Sequence, residues 1–134
     1  LAAADATLRE LSRDDGAALR AANRHGEALR RGIEELGRKH GVPVLASGFG
    51  AAFAVHFTEK AELKDYRDTF ADNKERLRRF LYRALQEGVI VVPDGRFYVS
   101  AVHGEREIEQ ALDALDRVFA TLDQTVDVPA SVER

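Results

Sequence analysis

Apolar residues recur at helical spacing over the first third of the chain and then switch to alternation. Leu1, Ala4, Leu8 and Leu11 mark one helical face. After a polar break at residues 12–16, Leu19, Ala22, Gly26, Leu29, Ile33 and Leu36 mark a second. Asp14 or Asp15 is placed to cap the second helix, and Gly41 to stop it. From Val42 the period becomes two. Residues 42–46 and 51–58 read as strands joined by the Gly-rich Ser47-Gly48-Phe49-Gly50. The second alternates Phe53, Val55 and Phe57 with Ala52, Ala54 and His56, the pattern of a sheet with one face on a core. Residues 59–68 form a polar linker. Leu77, Phe80, Leu81, Ala84 and Leu85 then give the apolar stripe of a third helix, whose outer face carries Lys74, Glu75, Arg78, Arg79 and Arg83.

Residues 88–108 contain a helix stop, a strand, a tight turn, a second strand and a helix start. Gly88 suits a left-handed helix end, and the β-branched run Val89, Ile90, Val91, Val92 suits extended backbone. Pro93-Asp94-Gly95 turns the chain, so residues 96–100 are expected to return antiparallel to 89–92. A last helix packs through Ile108, Ala111, Leu112, Leu115, Phe119 and Leu122, with acids near its start where they complement the dipole. Beyond Gln124 no period remains, and the tail is expected to be loose. Strands followed by helices, with a hairpin, predict an α+β fold: a small, mainly antiparallel sheet covered by helices on one face.

Composition narrows the function classes. With 134 residues, 45% hydrophobic and 32% charged, the chain suits one globular domain with a moderate core. Twenty basic residues stand against 23 acidic ones, a net charge of −3, and the arginines are interleaved with acids, so no nucleic-acid partner is implied. The absence of Cys rules out a disulfide framework and a thiolate metal site. There is no apolar run of membrane-spanning length, no signal-peptide pattern and no internal repeat, from which no membrane association and a cytoplasmic location are expected. The chain has no Met and opens on Leu1, so a fragment of something larger is expected.

Gly48-Phe49-Gly50 with the strand after it, Asp65-Tyr66, Asp72, Phe80, Leu85, Gly88-Val89, Pro93 and Ser100-Ala101-Val102-His103 stand in an informative order and spacing. It resembles the carboxy-terminal domain of class III pyridoxal-phosphate (PLP) aminotransferases, the group that includes glutamate-1-semialdehyde 2,1-aminomutase. The opening residues look like the Ala-rich helix that leads out of the large domain there, so the resemblance covers residues 1–122. It implies a helical interdomain connection over 1–40, the small domain of a fold-type I PLP enzyme over 41–122, and a tail over 123–134. It also implies PLP as cofactor, an amino substrate, the rest of an aminotransferase chain as partner, and a homodimer with sites between subunits. In that family the Schiff-base Lys, the Asp on the pyridinium nitrogen and the phosphate-binding turn belong to the large domain. Lys39, Lys60, Lys64 and Lys74 fall in helix ends or the polar linker. No catalytic, cofactor-binding or metal-binding residue is therefore expected in this chain, which is expected not to catalyse transamination alone.

Two positions are candidates for substrate binding. The fork of Arg96 is matched to a carboxylate. Several family members place an Arg at this point of the small domain, about a dozen residues before the first apolar position of the last helix, as Arg96 stands to Ile108. The plainer alternative is an exposed residue after a tight turn. Aminomutase members carry a longer loop here with a Glu, so the short Pro-Asp-Gly turn favours a general aminotransferase. Phe49, by resemblance, walls the substrate mouth; the plainer alternative is a strand-connecting turn. His103 is expected to tie a strand end to a helix start through a ring N–H, since His25, His40 and His56 are scattered on other elements. Ser100 lacks a nucleophile-elbow context and reads as a hydrogen-bonding strand residue. Two functional classes follow: the small domain of a PLP aminotransferase or aminomutase, or an autonomous, non-catalytic α+β interaction module.

Overall fold

Alternation along one strand decides the architecture. In the computed structural model, which describes residues 1–124, Phe53, Val55 and Phe57 all point into the core. Four helices, α1 (Ala2–Ser12), α2 (Ala17–His40), α3 (Lys74–Gln86) and α4 (Glu105–Thr121), accompany three strands, β1 (Leu45–Phe49), β2 (Ala52–His56) and β3 (Arg96–Tyr98). The strands form one antiparallel sheet in the order β1-β2-β3. Leu29 and Ile33 of α2, Phe80 and Ala84 of α3, and Leu115, Val118 and Phe119 of α4 cover its inner face, giving the α+β layering that the pattern predicts. Phe53 stacks on Phe97 with ring centres 5.1 Å apart and planes 3° from parallel. Phe57 meets Phe80 at 5.3 Å and Phe119 at 6.3 Å. Each such side chain contributes roughly 1.5–3 kcal/mol on full burial, so this cluster is the main source of cohesion.

Helix α2 is laced to the sheet. A Cβ on Gly26 would lie 2.3 Å from the Gly50 carbonyl oxygen, so the helix and the β1–β2 turn approach to a distance only glycine permits. Asn23 Oδ1 accepts the Ala51 N–H of that turn at 3.0 Å. On β1, the Ala46 N–H donates to Glu34 Oε1 and the Ala46 carbonyl accepts from Arg30 Nη1, both at 3.0 Å. These helix side chains satisfy backbone groups that an edge strand otherwise leaves open. Arg30 is held in turn by Glu27. At the far end, Asp116 of α4 takes Lys39 and His40 at 2.7 and 2.6 Å.

Both glycine helix stops form as expected. Gly41 and Gly88 are left-handed, and the next N–H closes the helix: Val42 to the Gly37 carbonyl at 2.9 Å, Val89 to the Ala84 carbonyl at 2.8 Å. Several other expectations are corrected. Neither Asp14 nor Asp15 caps α2. Both lie in a 3-10 turn with positive φ, Gly16 takes the N-cap position, and Arg20 gathers this turn by pairing with the Asp15 carboxylate at 3.1 Å and binding the Asp14 carbonyl at 3.0 Å. The first strand is shifted, running over Leu45–Phe49 instead of 42–46, and the second, Ala52–His56, is shorter than the expected 51–58. Gly48 lies inside β1 opposite Phe53, where a Cβ would sit 2.4 Å from the Phe53 Cα, so this glycine serves close approach rather than a turn. The turn itself is only Gly50-Ala51. Residues 89–92 do not form a strand. Val92 donates to the Arg96 carbonyl at 3.2 Å and accepts from Gly95 N–H at 2.8 Å, while β3 ladders onto β2, drawn there by the Phe53–Phe97 stack.

The expected linker 59–68 runs into a 3-10 turn, Tyr66–Ala71, closed by a capping box in which Asp65 accepts from Arg67 N–H and Asp68 from Asp65 N–H. Leu85 and Leu19 are exposed despite their stripe positions, and α1 has no buried residue, leaving Leu1, Leu8 and Leu11 on the surface. Among the described residues, no helix is long and apolar enough to cross a membrane. The tail expected to be loose beyond Gln124 lies outside the described residues.

Two outcomes follow. Gly26→Ala should lower stability by about 1–3 kcal/mol, because the new methyl meets backbone that cannot step aside; a urea midpoint equal to the parent's would show that the turn gives way. Acid should loosen the same region. Arg30 and Arg31 hold the Glu27 carboxyl down to about 2, against an ordinary 4.5. Its folded value is depressed, so its stabilisation is present above pH 4.5 and is lost as pH falls toward 2. Unfolding free energy followed across that window should decline, and Glu27→Gln should flatten part of the decline.

Candidate functional site on the open sheet face

The face of the sheet turned away from the helices carries the polar alternates. Register aligns Ser47, Ala54 and Arg96 in one row across the three strands and Phe49, Ala52 and Tyr98 in the next. Side chains two apart on a strand share a face, so His56 joins them. The structure thus brings both sequence-predicted residues, Arg96 and Phe49, onto one surface. Phe49, the last residue of β1, is 84% exposed, and Tyr98 is also exposed. Beside Phe49, at the β1–β2 turn, stand Asn23, Arg24 and Arg31 of α2.

Arg96 follows the turn 92–95. Its Nη2 lies 2.6 Å from Asp94 Oδ2, and its backbone N–H donates to the other Asp94 oxygen at 3.3 Å. The guanidinium holds the Asp94 carboxyl below the usual carboxylate range. Asp94 therefore steadies one corner of a half-exposed fork. Arg96 stands between two concavities. One, of about 630 Å³, runs past His56, Tyr66, Asp72 and Lys74. The other, a shallow depression of about 230 Å³, is floored by Ala52 and Ala54 and flanked by Ser47, Tyr98 and Arg96.

A constellation absent from the sequence expectations lies on this face. Ser47 Oγ is 3.1 Å from His56 Nε2, and His56 Nδ1 is 2.7 Å from Asp72 Oδ2. The His56 and Asp72 side chains are only 14% and 15% exposed, whereas Ser47 opens to solvent. The remaining Asp72 oxygen, Oδ1, is buried with no hydrogen-bond partner. Sequence shows only that His56 falls on the polar side of β2. Ser47 and Asp72 stand nine and sixteen residues away, and only the hairpin and the turn before α3 bring them together.

His103 does tie its loop, but in the sense opposite to that expected: its Nδ1 accepts from the Ser100 N–H at 3.1 Å. Ser100 Oγ accepts from Val102 N–H at 3.4 Å. Of the lysines, Lys39 pairs with Asp116, Lys60 with Asp68 and Lys64 with Glu62. Lys74 opens α3 at the rim of the larger cleft. Among the described residues no group of three or more His, Cys, Asp or Glu is arranged to hold a metal ion.

No protein-family model matches the chain. Solved structures do. An omega-transaminase from Sphaerobacter thermophilus is 28% identical, with a TM-score of 0.74, over 85% of this chain and 26% of its own. A beta-phenylalanine aminotransferase from Variovorax paradoxus, 21% identical, matches with a TM-score of 0.68 over 81% of this chain and 24% of its own. A transaminase with PLP bound, 20% identical, matches at 0.69 over 88% and 26%. The last two likenesses are of fold alone. The chain spans about a quarter of the length of the solved structures it matches.

Proposed function

We propose that this chain is the carboxy-terminal part of a PLP-dependent aminotransferase of the class III type, and that its open sheet face supplies the substrate-side contacts. Arg96 holds the carboxylate of an amino-acid substrate, and Phe49 walls the same mouth. The observation that carries the reading is the register that puts Arg96 and Phe49 on the same side of the sheet, opposite the aromatic core, in a fold shared with transaminases. The short Pro93-Asp94-Gly95 turn favours transfer between molecules over an aminomutase reaction. The rest of the aminotransferase chain as partner, a homodimer and a cytoplasmic setting belong to the same reading.

The residues of this chain do not fit the cofactor itself. Three of its lysines are engaged in ion pairs and the fourth starts a helix at a cleft rim. The carboxylates Glu27, Asp68, Glu75, Asp94 and Asp116 are each committed to basic side chains. No step of the cofactor chemistry is assigned to these residues, and PLP belongs to the remainder of a longer polypeptide.

Two measurements test this. The 134-residue chain alone should take up PLP no better than an unrelated protein with as many lysines; borohydride trapping of one equivalent on a single lysine would overturn the assignment. In the longer enzyme, Arg96→Ala should lower kcat/KM for amino acids on the order of 10- to 100-fold, mainly through KM, with the cofactor absorbance intact. Amines lacking a carboxylate should be nearly unaffected, and Arg96→Lys should recover only part of the loss. Unchanged kinetics on amino acids would return Arg96 to an exposed residue after a turn.

A further inference from the structure

The Ser47–His56–Asp72 chain has a direction that hydrogen-bond inventory dictates. An ionised Asp72 can only accept, so His56 Nδ1 carries a proton and donates to it across 2.7 Å. With the ring neutral, Nε2 is a lone pair, and the Ser47 hydroxyl donates to it across 3.1 Å. Ser47 then offers only oxygen lone pairs to the depression it shares with Arg96. A proton on Nε2 reverses the bond. The imidazolium donates to Oγ, and the hydroxyl proton is released to point into the depression.

Ser47 and Arg96 stand in one row with Ala54 between them. At the usual strand spacing their Cα atoms are roughly 10 Å apart. The short Ala54 side chain leaves the gap between hydroxyl and guanidinium open, and a carboxylate has one oxygen for each. An anion there finds only lone pairs at Ser47 while His56 is neutral, and a donor once it is charged.

We propose that this depression binds a carboxylate between the Arg96 guanidinium and the Ser47 hydroxyl, and that binding draws a proton onto His56. The proposal rests on the reading of Arg96 as a carboxylate holder and adds a second contact and a linkage to it. The charged and titratable groups facing His56 are Asp72, hydrogen-bonded to its Nδ1, and Lys74 and Arg78 of α3 and Arg96 of β3 along the cleft, Arg78 being paired with Glu75 and Arg96 with Asp94. Tyr66 completes the cleft wall. An added carboxylate supplies a new anion on the Ser47 side. Because linkage is reciprocal, the ligand that raises proton affinity must itself bind more tightly as pH falls through the imidazole range.

The test is an NMR titration of the histidine ring nitrogens in the 134-residue chain at constant ionic strength, with and without propionate. The His56 midpoint should move to higher pH, by about one unit for a tenfold preference for the protonated form. Propionamide, the uncharged isostere, should leave it in place. Ser47→Ala should weaken binding and abolish the shift. His56→Gln keeps a hydrogen-bonding side chain that cannot gain a proton, and should make propionate affinity independent of pH across that range. Propionate binding that Arg96→Ala removes, with an unmoved His56 midpoint or with the same shift in Ser47→Ala, would overturn the linkage and leave the Arg96 reading standing. No propionate binding at any pH would overturn both.

Discussion

Burial of Phe53, Val55 and Phe57 on one side of the central strand is the constraint from which the rest of this structure follows. Among the described residues the buried core lies on one face of the three-stranded sheet. A slip of one residue would put Ala52, Ala54 and His56 in the core and the phenylalanines in water, which makes the register strongly determined. The helices take the inner face because the aromatic residues are there. The outer face is left with small and polar residues together with the exposed rings of Phe49 and Tyr98.

That division is made rigid by contacts few in number and specific in chemistry. Gly26 lets α2 rest on the β1–β2 turn, Asn23 holds the turn's backbone, and Arg30 with Glu34 satisfies Ala46 on the sheet edge. These act on β1, the strand that carries Ser47 and Phe49. On the other side, Asp94 steadies Arg96 and the Phe53–Phe97 stack holds β3 in register. The residues proposed to meet a ligand are thus borne by strands whose own positions are determined by buried or paired groups, the condition under which a binding constellation keeps its geometry.

Much of this was legible in sequence for physical reasons. Period-2 alternation in β2 and period-3.6 stripes in α2, α3 and α4 report burial directly, and Gly41 and Gly88 report the left-handed helix ends. The failures are equally physical. Gly48 reads as a turn because glycine allows both a turn and a close approach, and sequence does not say which. Residues 89–92 have strand composition, yet β3 pairs with β2 because that pairing stacks two phenylalanines. Asp14 and Asp15 have the chemistry of caps, but a 3-10 turn gathered by Arg20 takes them out of line. Arg96 and Phe49 could be singled out from residue type and resemblance. Their common face could not, because it depends on the register of three strands. Ser47, His56 and Asp72 carry no linear motif at all; only His56 leaves a trace, as the one ionisable residue in the alternation of β2.

The functional reading therefore rests on a fold shared with transaminases, an inner face that holds the sheet and helices together, and an outer face proposed to meet a substrate. The most direct measurement is a crystal structure of the longer polypeptide with PLP and a carboxylate-bearing amino substrate bound. The account predicts the substrate carboxylate on the Arg96 guanidinium, over the row Ser47, Ala54, Arg96, with the open face turned to the cofactor cleft. A substrate bound elsewhere, with this face packed against protein or directed to bulk solvent, would contradict it.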